Sequence, residues 1–208
     1  SDRDRNEIIY KSNLKNSVFN KIVHLISYQT DNVLNNFVPY PKDTIQETQI
    51  ISELRNVLQE LIPTDSITQK IQNTIQEFEN KKILGIHLRT TDGGFKDIPK
   101  HEIFPYIFNL INKNVYDKIY VSCDNFKLEN DIVSIFKDKI IVFKTPFGNN
   151  YQDKFNRFSF GTLNAVCEMF ILSKCTYFVG TPGSSFSFMV WLLRNDTFLE
   201  FWCQNPWK

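Results

Sequence analysis

The sequence has little of what marks nucleic-acid-binding and membrane-attracted proteins, namely an excess of charge of one sign. Its 24 basic and 23 acidic side chains almost cancel, and the formal net charge is +1. The chain therefore lacks the basic field that holds a phosphate backbone, and it lacks a run of like charges that would draw it to a membrane surface. We expect no nucleic-acid partner.

Cysteine and histidine are scarce, and their spacing argues against a zinc site. None of the four cysteines forms a C-x-x-C pair, and the three histidines lie far from them. The cysteines have apolar neighbours, so we expect reduced core residues, while a disulfide between any two stays open at this point. The cysteines are Cys123, Cys167, Cys175 and Cys203.

Long apolar runs are missing as well. No run approaches the roughly 20 residues of a membrane helix, and the polar residues 1–5 do not resemble a signal peptide. We therefore expect no transmembrane segment in this chain. One glycosylation sequon, Asn195-Asp196-Thr197, is weak evidence for a secretory location, so the cytoplasm and the secretory-pathway lumen both remain open.

Several motifs of nucleotide-binding proteins and hydrolases are also absent. The sequence has no G-x-G-x-x-G after the first predicted strand, no G-x-x-x-x-G-K-[ST] loop and no G-x-S-x-G elbow. No D-x-D pair offers itself as a clamp for a metal–diphosphate. A nucleotide diphosphate would have to be neutralised by an arginine and by helix N–H groups. We therefore expect neither a cofactor nor a metal.

The pattern of apolar and polar residues changes at about residue 80. Residues 1–80 are predicted to form a helical N-terminal segment, with helices at roughly 14–28 and over 44–79 on either side of Pro63. From Lys81 onward strands and helices alternate, which predicts one Rossmann-like domain over 81–208. The predicted strands are 83–88, 117–122, 139–143, 176–180 and 197–202, and the predicted helices are 101–113, 126–137, 158–173 and 184–194.

The fold class follows from the apolar composition of these strands. The first three are continuous apolar runs without polar alternation, as in 140–143. Such runs are typical of a parallel sheet that is buried on both faces. The β-α-β-α order therefore predicts an α/β fold, a Rossmann-like three-layer domain with a parallel sheet, preceded by helices.

Two stretches carry the functional signal. In 177–188 an apolar run ends in Gly180-Thr181-Pro182-Gly183, and two serines precede a second apolar run of helical length. The first turn of a helix has free N–H groups and a positive dipole end, so it can seat a phosphate. In 83–94 another buried strand delivers His87 and Arg89 to its carboxyl end, where open α/β sheets bind ligands. Together the two stretches predict one anion site.

Arg89 and His87 each have a functional and a structural interpretation. Because they lie two residues apart on a strand, both should point to the same face. Arg89 could bind a phosphate through two parallel N–H bonds, or it could form a structural ion pair with Asp92. His87 could contact a ligand through an imidazole nitrogen; taken by itself, a hydrogen-bonded core histidine is the favoured interpretation.

Three further positions are ambiguous in the same way. Glu168 is a lone acid in an apolar helix, and a buried carboxylate needs a partner, which guanine N–H groups or an arginine such as Arg157 could supply. Asp124 ends a predicted strand and is expected to cap the next helix. Ser184 and Ser185 could cap the last helix or bind phosphate.

Two motifs resemble those of the GDP-fucose-dependent fucosyltransferases. Residues 85–92, Gly-Ile-His-Leu-Arg-Thr-Thr-Asp, resemble the H-[IL]-R-x-x-D stretch of this superfamily, which includes α1,2-, α1,6- and protein O-fucosyltransferases. Residues 172–181, with 184–188, are similar to the closing motif, and an acid again lies twelve residues before the glycine. The resemblance covers roughly residues 80–195.

The resemblance implies a GT-B glycosyltransferase, in which two Rossmann-like halves face a cleft and the C-terminal half holds the sugar nucleotide. This chain would correspond to that donor-binding half. Arg89 would then be the catalytic residue, which binds the diphosphate and stabilises charge as GDP leaves. His87 would contact the nucleotide. Glu168 would hold the guanine edge, at a position where the family often has Asp.

The resemblance also implies the remaining substrate-binding residues. Ser184, Ser185 and Phe186 would contact the phosphates and the base, and Asp92 closes the first motif. Enzymes of this kind generally invert the anomeric centre and need no metal. The implied reaction transfers fucose from GDP-fucose to a hydroxyl of a glycan or protein acceptor.

The resemblance leaves a departure and two alternatives. Residues 1–80 are too few for the complete acceptor domain of the family, so this segment is expected to be a remnant of that domain or a link to it. One alternative is a catalytically silent GDP-sugar-binding domain. The other is a plain α/β interaction domain in which His87 and Arg89 are structural.

Overall fold

Strands and helices alternate along the part of the chain that the structure describes. The computed structural model describes residues 45–91, 100–113, 115–148, 150–155, 161–181, 184–194 and 200–201. The helix predicted over 14–28 lies outside these residues. The described helices are α1 (Ile45–Gln59), α2 (Asp65–Ile75), α3 (Lys100–Asn112), α4 (Phe126–Phe136), α5 (Gly161–Ser173) and α6 (Ser185–Arg194). The described strands are β1 (Ile83–Leu88), β2 (Lys118–Cys123), β3 (Ile140–Ile141), β4 (Tyr177–Gly180) and β5 (Glu200–Phe201).

The strands form one parallel sheet in the order β3-β2-β1-β4-β5. β1 is central, and Gly85 lies beside Tyr120 of β2 and Phe178 of β4. Because all the described strands run in one direction, their carboxyl ends meet at the same edge of the sheet. The predicted α/β fold with a parallel sheet is therefore confirmed. β3 is shorter than the predicted run 139–143, of which only Ile140–Ile141 pairs as a strand.

β1 is buried along its whole length, which explains its continuous apolar run. Leu84 and Ile86 pack on one face with residues of α3 and α4, whereas Ile83 packs on the other face with residues of α1, α2, α5 and α6. The sheet is thus the middle of three layers. Each fully buried Ile or Leu side chain contributes about 1.5–3 kcal/mol relative to its exposed state.

The two helices before the sheet belong to the same core. Leu54 and Leu58 of α1 and Ile67 and Ile71 of α2 are buried in the cluster that also contains α5 and α6. α1 packs against α6, and α2 packs against α5. Among the described helices, none combines the length and the apolar composition needed to cross a membrane.

At Gly85 the segment that includes the end of α5 packs directly against the sheet. A Cβ atom at this position would lie 2.9 Å from Cys175 Sγ and 2.9 Å from Leu172 Cδ2. A side chain here would therefore require Leu172 and Cys175 to shift. Cys175, like Cys123 and Cys167, is free and buried, as predicted; Cys203 lies outside the described residues.

Candidate functional site

A cavity of about 270 Å³ lies at the carboxyl edge of the sheet. Its walls come from the ends of β1 and β2, the turn Tyr151–Phe155, the first half of α5 and the first turn of α6. Four of the predicted site residues line it: His87, Arg89, Glu168 and Phe186. They come from both sequence motifs, so the structure brings these two distant stretches together. Asp92 lies outside the described residues.

His87 is held in place by a hydroxyl group on α6. The histidine is 4% exposed, and its Nδ1 lies 2.7 Å from Ser187 Oγ. The Phe186 ring packs beside the imidazole, with the two ring centroids 4.5 Å apart. Burial, and then the charge of Arg89, lower the pKa of His87 to about 3, so the imidazole is neutral near pH 7. With Nδ1 engaged, Nε2 is the ring nitrogen left for a ligand.

Thr181 connects the ends of the neighbouring strands β1 and β4. It is fully buried, and its hydroxyl donates to the His87 carbonyl at 2.7 Å and accepts from the Arg89 N–H at 3.1 Å. Its own N–H donates to Ser187 Oγ at 2.9 Å. Thr181 therefore fixes the backbone at both His87 and Arg89, just beyond the last paired residues of the two strands.

Arg89 forms an ion pair with Asp124, the residue that follows β2. Arg89 Nε lies 3.5 Å from Asp124 Oδ2. The same carboxylate accepts hydrogen bonds from the N–H groups and hydroxyls of Thr90 and Thr91, at 2.6–3.3 Å. The loop that follows β1 is therefore tied to the end of β2, and Asp124 itself lines the cavity.

The prediction that Asp124 caps the next helix is wrong. The cap of α4 is Asn125, whose Oδ1 accepts from the Leu128 N–H at 3.1 Å. Asp124 faces the other way because the loop after β1 offers its carboxylate four N–H and O–H donors and a guanidinium. A single capping bond would satisfy far less of its accepting capacity.

Glu168 is buried in α5 and has a cationic partner that the sequence did not suggest. Lys154 Nζ lies 2.9 Å from Glu168 Oε1 and 2.5 Å from Glu129 Oε2. Arg157, the partner considered from the sequence, lies outside the described residues. We call Glu129, Lys154 and Glu168 the buried charge array. Burial of the ammonium alone would lower the pKa of Lys154, but Glu168 and Glu129 together raise it above its ordinary value.

The serine pair lies at the start of α6. Ser184 is the residue before the helix, and its Oγ accepts from the Ser187 N–H at 3.4 Å, a long capping bond. Ser185 is the first helical residue and is exposed. Phe186 lines the cavity, whereas the two serines do not. The structure thus places Ser184 as a cap, and phosphate binding by the serines remains a prediction.

Sequence reasoning missed four residues of this region: Lys154, Glu129, Thr181 and Ser187. Glu129 carried a usable signal, because it shares the buried face of α4 with Leu128 and Ile132. Thr181 and Ser187 are small hydroxyl residues whose partners are set by the fold. Lys154 carried no local signal, since a lysine in a polar stretch is normally exposed.

The cavity therefore presents different chemistry on different walls. A guanidinium and the start of α6 suit an anion, the Glu168 carboxylate suits N–H donors, and the neutral His87 can donate or accept one hydrogen bond. Within the described ranges, no group of three or more His, Cys, Asp or Glu side chains is placed to hold a metal ion. That the site works without metal remains a prediction.

No protein-family model and no curated protein matches the chain. Solved structures do match it. That of NodZ α-1,6-fucosyltransferase soaked with GDP-fucose gives a TM-score of 0.50 at 18% identity, over 67% of this chain and 45% of NodZ. The structure of POFUT1 without ligand gives a TM-score of 0.47 at 16% identity, over 71% of this chain and 49% of POFUT1. The structure of a mutant of Arabidopsis thaliana FUT1 with GDP gives a TM-score of 0.49 at 14% identity, over 74% of this chain and 36% of FUT1.

At these identities the likeness concerns the fold, and the NodZ comparison carries it. The chain spans less than half the length of each of these three proteins. NodZ is a fucosyltransferase, and the two sequence motifs resemble those of the same superfamily. The chain thus has an α/β fold that resembles part of a GDP-fucose-dependent fucosyltransferase, as its motifs predict.

Proposed function

We propose that the chain is the donor-binding part of a glycosyltransferase that transfers fucose from GDP-fucose to a hydroxyl of a glycan or protein. One observation carries the proposal. His87, Arg89, Glu168 and Phe186, contributed by two motifs far apart in the sequence, line one cavity at the carboxyl edge of a parallel sheet. This is the edge at which open α/β sheets bind nucleotides.

The diphosphate would bind between Arg89 and the start of α6. Arg89 is half-buried, with its side chain 34% exposed, and its Nε is oriented by Asp124. A guanidinium binds phosphate oxygens through parallel N–H bonds and keeps its charge at any working pH. The N–H groups of the first turn of α6 add a positive dipole end, which also favours an anion.

The base would bind against Glu168 and Phe186. Guanine offers N1–H and N2–H side by side, and a carboxylate can accept both. The neutral His87 would hydrogen-bond the nucleotide through Nε2, because Ser187 engages Nδ1. Uracil has no such pair of adjacent donors, so the site should prefer a guanine nucleotide.

The reaction would be a direct displacement at the anomeric carbon. An acceptor hydroxyl oxygen bonds to that carbon as the bond to the GDP oxygen breaks, and the configuration inverts. The hydroxyl proton passes to solvent or to a base outside the described residues, and GDP leaves as the anion. The charge that develops on the leaving diphosphate is stabilised by Arg89, a donor that is already in place before the reaction begins. No metal is required in this scheme, because Arg89 and the start of α6 carry the compensating positive charge.

Calorimetric titration of the chain with GDP, GDP-fucose, GDP-mannose and UDP tests the binding part of the proposal. We expect GDP and GDP-fucose to bind much more tightly than UDP. Transfer by the full-length protein, measured with GDP-fucose with and without EDTA, tests the reaction. Binding without turnover would favour a silent GDP-sugar-binding domain, and no binding of any nucleotide would favour an interaction domain.

A further inference from the structure

The buried charge array connects three segments that are distant in the sequence: α4, the turn Tyr151–Phe155 and α5. The Lys154 and Glu129 side chains are each only 1% exposed, and that of Glu168 is 8% exposed. Lys154 and Glu168 line the cavity, whereas Glu129 does not. Glu129 therefore binds the ammonium without lining the cavity itself.

The two carboxylates of the array are not equally satisfied. Glu129 Oε1 accepts a hydrogen bond from the Tyr151 hydroxyl at 2.5 Å, and its Oε2 accepts one from Lys154 at 2.5 Å. Glu168 Oε1 lies 2.9 Å from Lys154 Nζ, but among the described residues no donor is directed at this atom as a hydrogen bond requires. The Ser122 hydroxyl is the other donor beside this carboxylate. Spare accepting capacity thus lies on the carboxylate that lines the cavity.

The array also contains two carboxylates for one ammonium. Such an excess of buried negative charge is costly unless a proton or a donor compensates it. The groups around Glu168 are Lys154 and Tyr151 from the turn, Glu129 from α4, and Tyr120 and Ser122 from β2. Burial and, to a smaller extent, the charge of Glu129 raise the pKa of Glu168, whereas Lys154 and the Ser122 hydroxyl lower it, and the net pKa is about 7.

We propose that Lys154 is a positioning residue that, anchored by Glu129, fixes the Glu168 carboxylate at the cavity wall and leaves its accepting capacity to adjacent N–H donors of a ligand. This inference rests on the proposed function, in which those donors belong to guanine. It extends that function to two residues, because Glu129 then influences base selectivity without contacting the ligand.

Removal of the Glu129 charge has a specific consequence. In Glu129→Gln, Lys154 has Glu168 as its only carboxylate partner in the array. The ammonium then stabilises the ionised form of Glu168 without competition, so the pKa of Glu168 falls. In the wild type a ligand with N–H donors needs ionised Glu168, and GDP affinity should fall roughly tenfold from pH 8 to pH 6. In Glu129→Gln that fall should be nearly absent.

The experiment is calorimetric titration with GDP and with inosine diphosphate, which lacks the N2–H donors, at pH 6 and pH 8. The variants are Glu129→Gln and Lys154→Met. Glu77→Gln and Lys144→Met are the matched controls, because Glu77 and Lys144 form an exposed ion pair with a distance of 3.1 Å. Ionisation of the ligand phosphates is common to all variants, so differences between variants report on the protein.

The wild type and both controls should prefer GDP over inosine diphosphate roughly tenfold or more, as expected for a hydrogen bond to a charged group. In Lys154→Met this preference should fall below about threefold, since Glu168 then takes up a proton. Should Lys154→Met fail to fold, the pH profile of Glu129→Gln decides. Thermal unfolding of each variant identifies any that is not folded.

Two negative outcomes are distinguishable. A wild type without preference for GDP overturns both the base contact of Glu168 and the positioning role of Lys154. A wild type that prefers GDP, with an unchanged preference in folded Lys154→Met or an unchanged pH profile in Glu129→Gln, overturns the positioning role alone and leaves the proposed function standing.

Discussion

Arg89 and Asp124 face each other across the ends of β1 and β2, with Nε 3.5 Å from Oδ2. The two side chains are 34% and 16% exposed, so the ion pair itself contributes little to stability. Its effect is on orientation. Asp124 holds the guanidinium and also accepts hydrogen bonds from Thr90 and Thr91, so one carboxylate determines the course of the chain directly after the arginine.

The role of Asp124 predicts that Asp124→Asn weakens nucleotide binding. The amide loses the charge and part of the accepting capacity that hold Arg89 and its loop. We expect GDP affinity to fall roughly tenfold and the free energy of unfolding to fall by about 1–3 kcal/mol. Asn125→Ala is the control, since it removes only the cap of α4 at about 1 kcal/mol. Equal effects of the two substitutions on GDP affinity would contradict this role.

Arg89→Lys tests whether Arg89 acts in the reaction. Lysine keeps the charge but loses the planar fork, and a group that stabilises a departing diphosphate acts more on the transition state than on the bound substrate. We expect turnover by the full-length protein to fall roughly 10²-fold or more, with a smaller loss of GDP affinity. Arg55→Lys, at a residue that packs on Trp191 away from the cavity, should leave turnover unchanged. Near-normal turnover in Arg89→Lys would show that the arginine is structural.

Glu168→Gln tests the base contact. The amide presents one acceptor and one donor group, so it cannot accept from both guanine N–H groups. We expect the preference for GDP over UDP to shrink by about 2–3 kcal/mol, the cost of losing a charged hydrogen-bond partner at a buried site. Isothermal titration measures this preference directly. If the affinity for GDP still exceeds that for UDP to the same extent in this variant, Glu168 does not bind the base.

The depressed pKa of His87 predicts acid-dependent destabilisation. Its pKa is about 3 in the folded protein and 6.5 in the unfolded chain, so between these values the unfolded state binds more protons. Stability is therefore lost as pH falls below 6.5, by up to about 1.4 kcal/mol per pH unit. The difference in unfolding free energy between His87→Gln and the wild type should rise accordingly in urea titrations from pH 7 to pH 4. A constant difference across this range would show that His87 does not titrate as described.

Glu168 contributes in the opposite direction. Its pKa is raised from 4.5 to about 7, so the folded state binds more protons between these values and its contribution to stability falls as pH rises through this window. The comparison of His87→Gln with the wild type cancels this contribution, because both proteins carry Glu168.

The sheet and the position of Arg89 were predictable because they depend on short-range patterns. The run that forms β1 is apolar at every position except His87 and Gly85, and such a run is typical of a strand buried on both faces. Arg89 follows the strand directly, so knowledge of where the strand ends is enough to place it at the sheet edge. The two motifs further predicted that the ends of β1 and β4 contribute to one site.

The partners of these residues were not predictable, because they depend on register and on tertiary packing. Asp124 reaches the loop after β1 because Leu88 pairs with Cys123 in the sheet. A shift of that pairing would have left the loop out of reach. Lys154 meets Glu129 and Glu168 only when the turn Tyr151–Phe155 lies between α4 and α5, and nothing within a few residues of Lys154 encodes that placement.

The close approach at Gly85 means that the middle of the sheet controls the geometry of the cavity from a distance. Leu172 and Cys175 occupy the space that a side chain at position 85 would need, and Glu168 lies one turn before Leu172 on α5. A bulkier residue at Gly85 would push on Leu172 and Cys175 and, through Leu172, on the helix that carries Glu168. A substitution that touches no ligand would therefore present as altered nucleotide preference, and a screen for selectivity variants would recover it among the apparent contact residues.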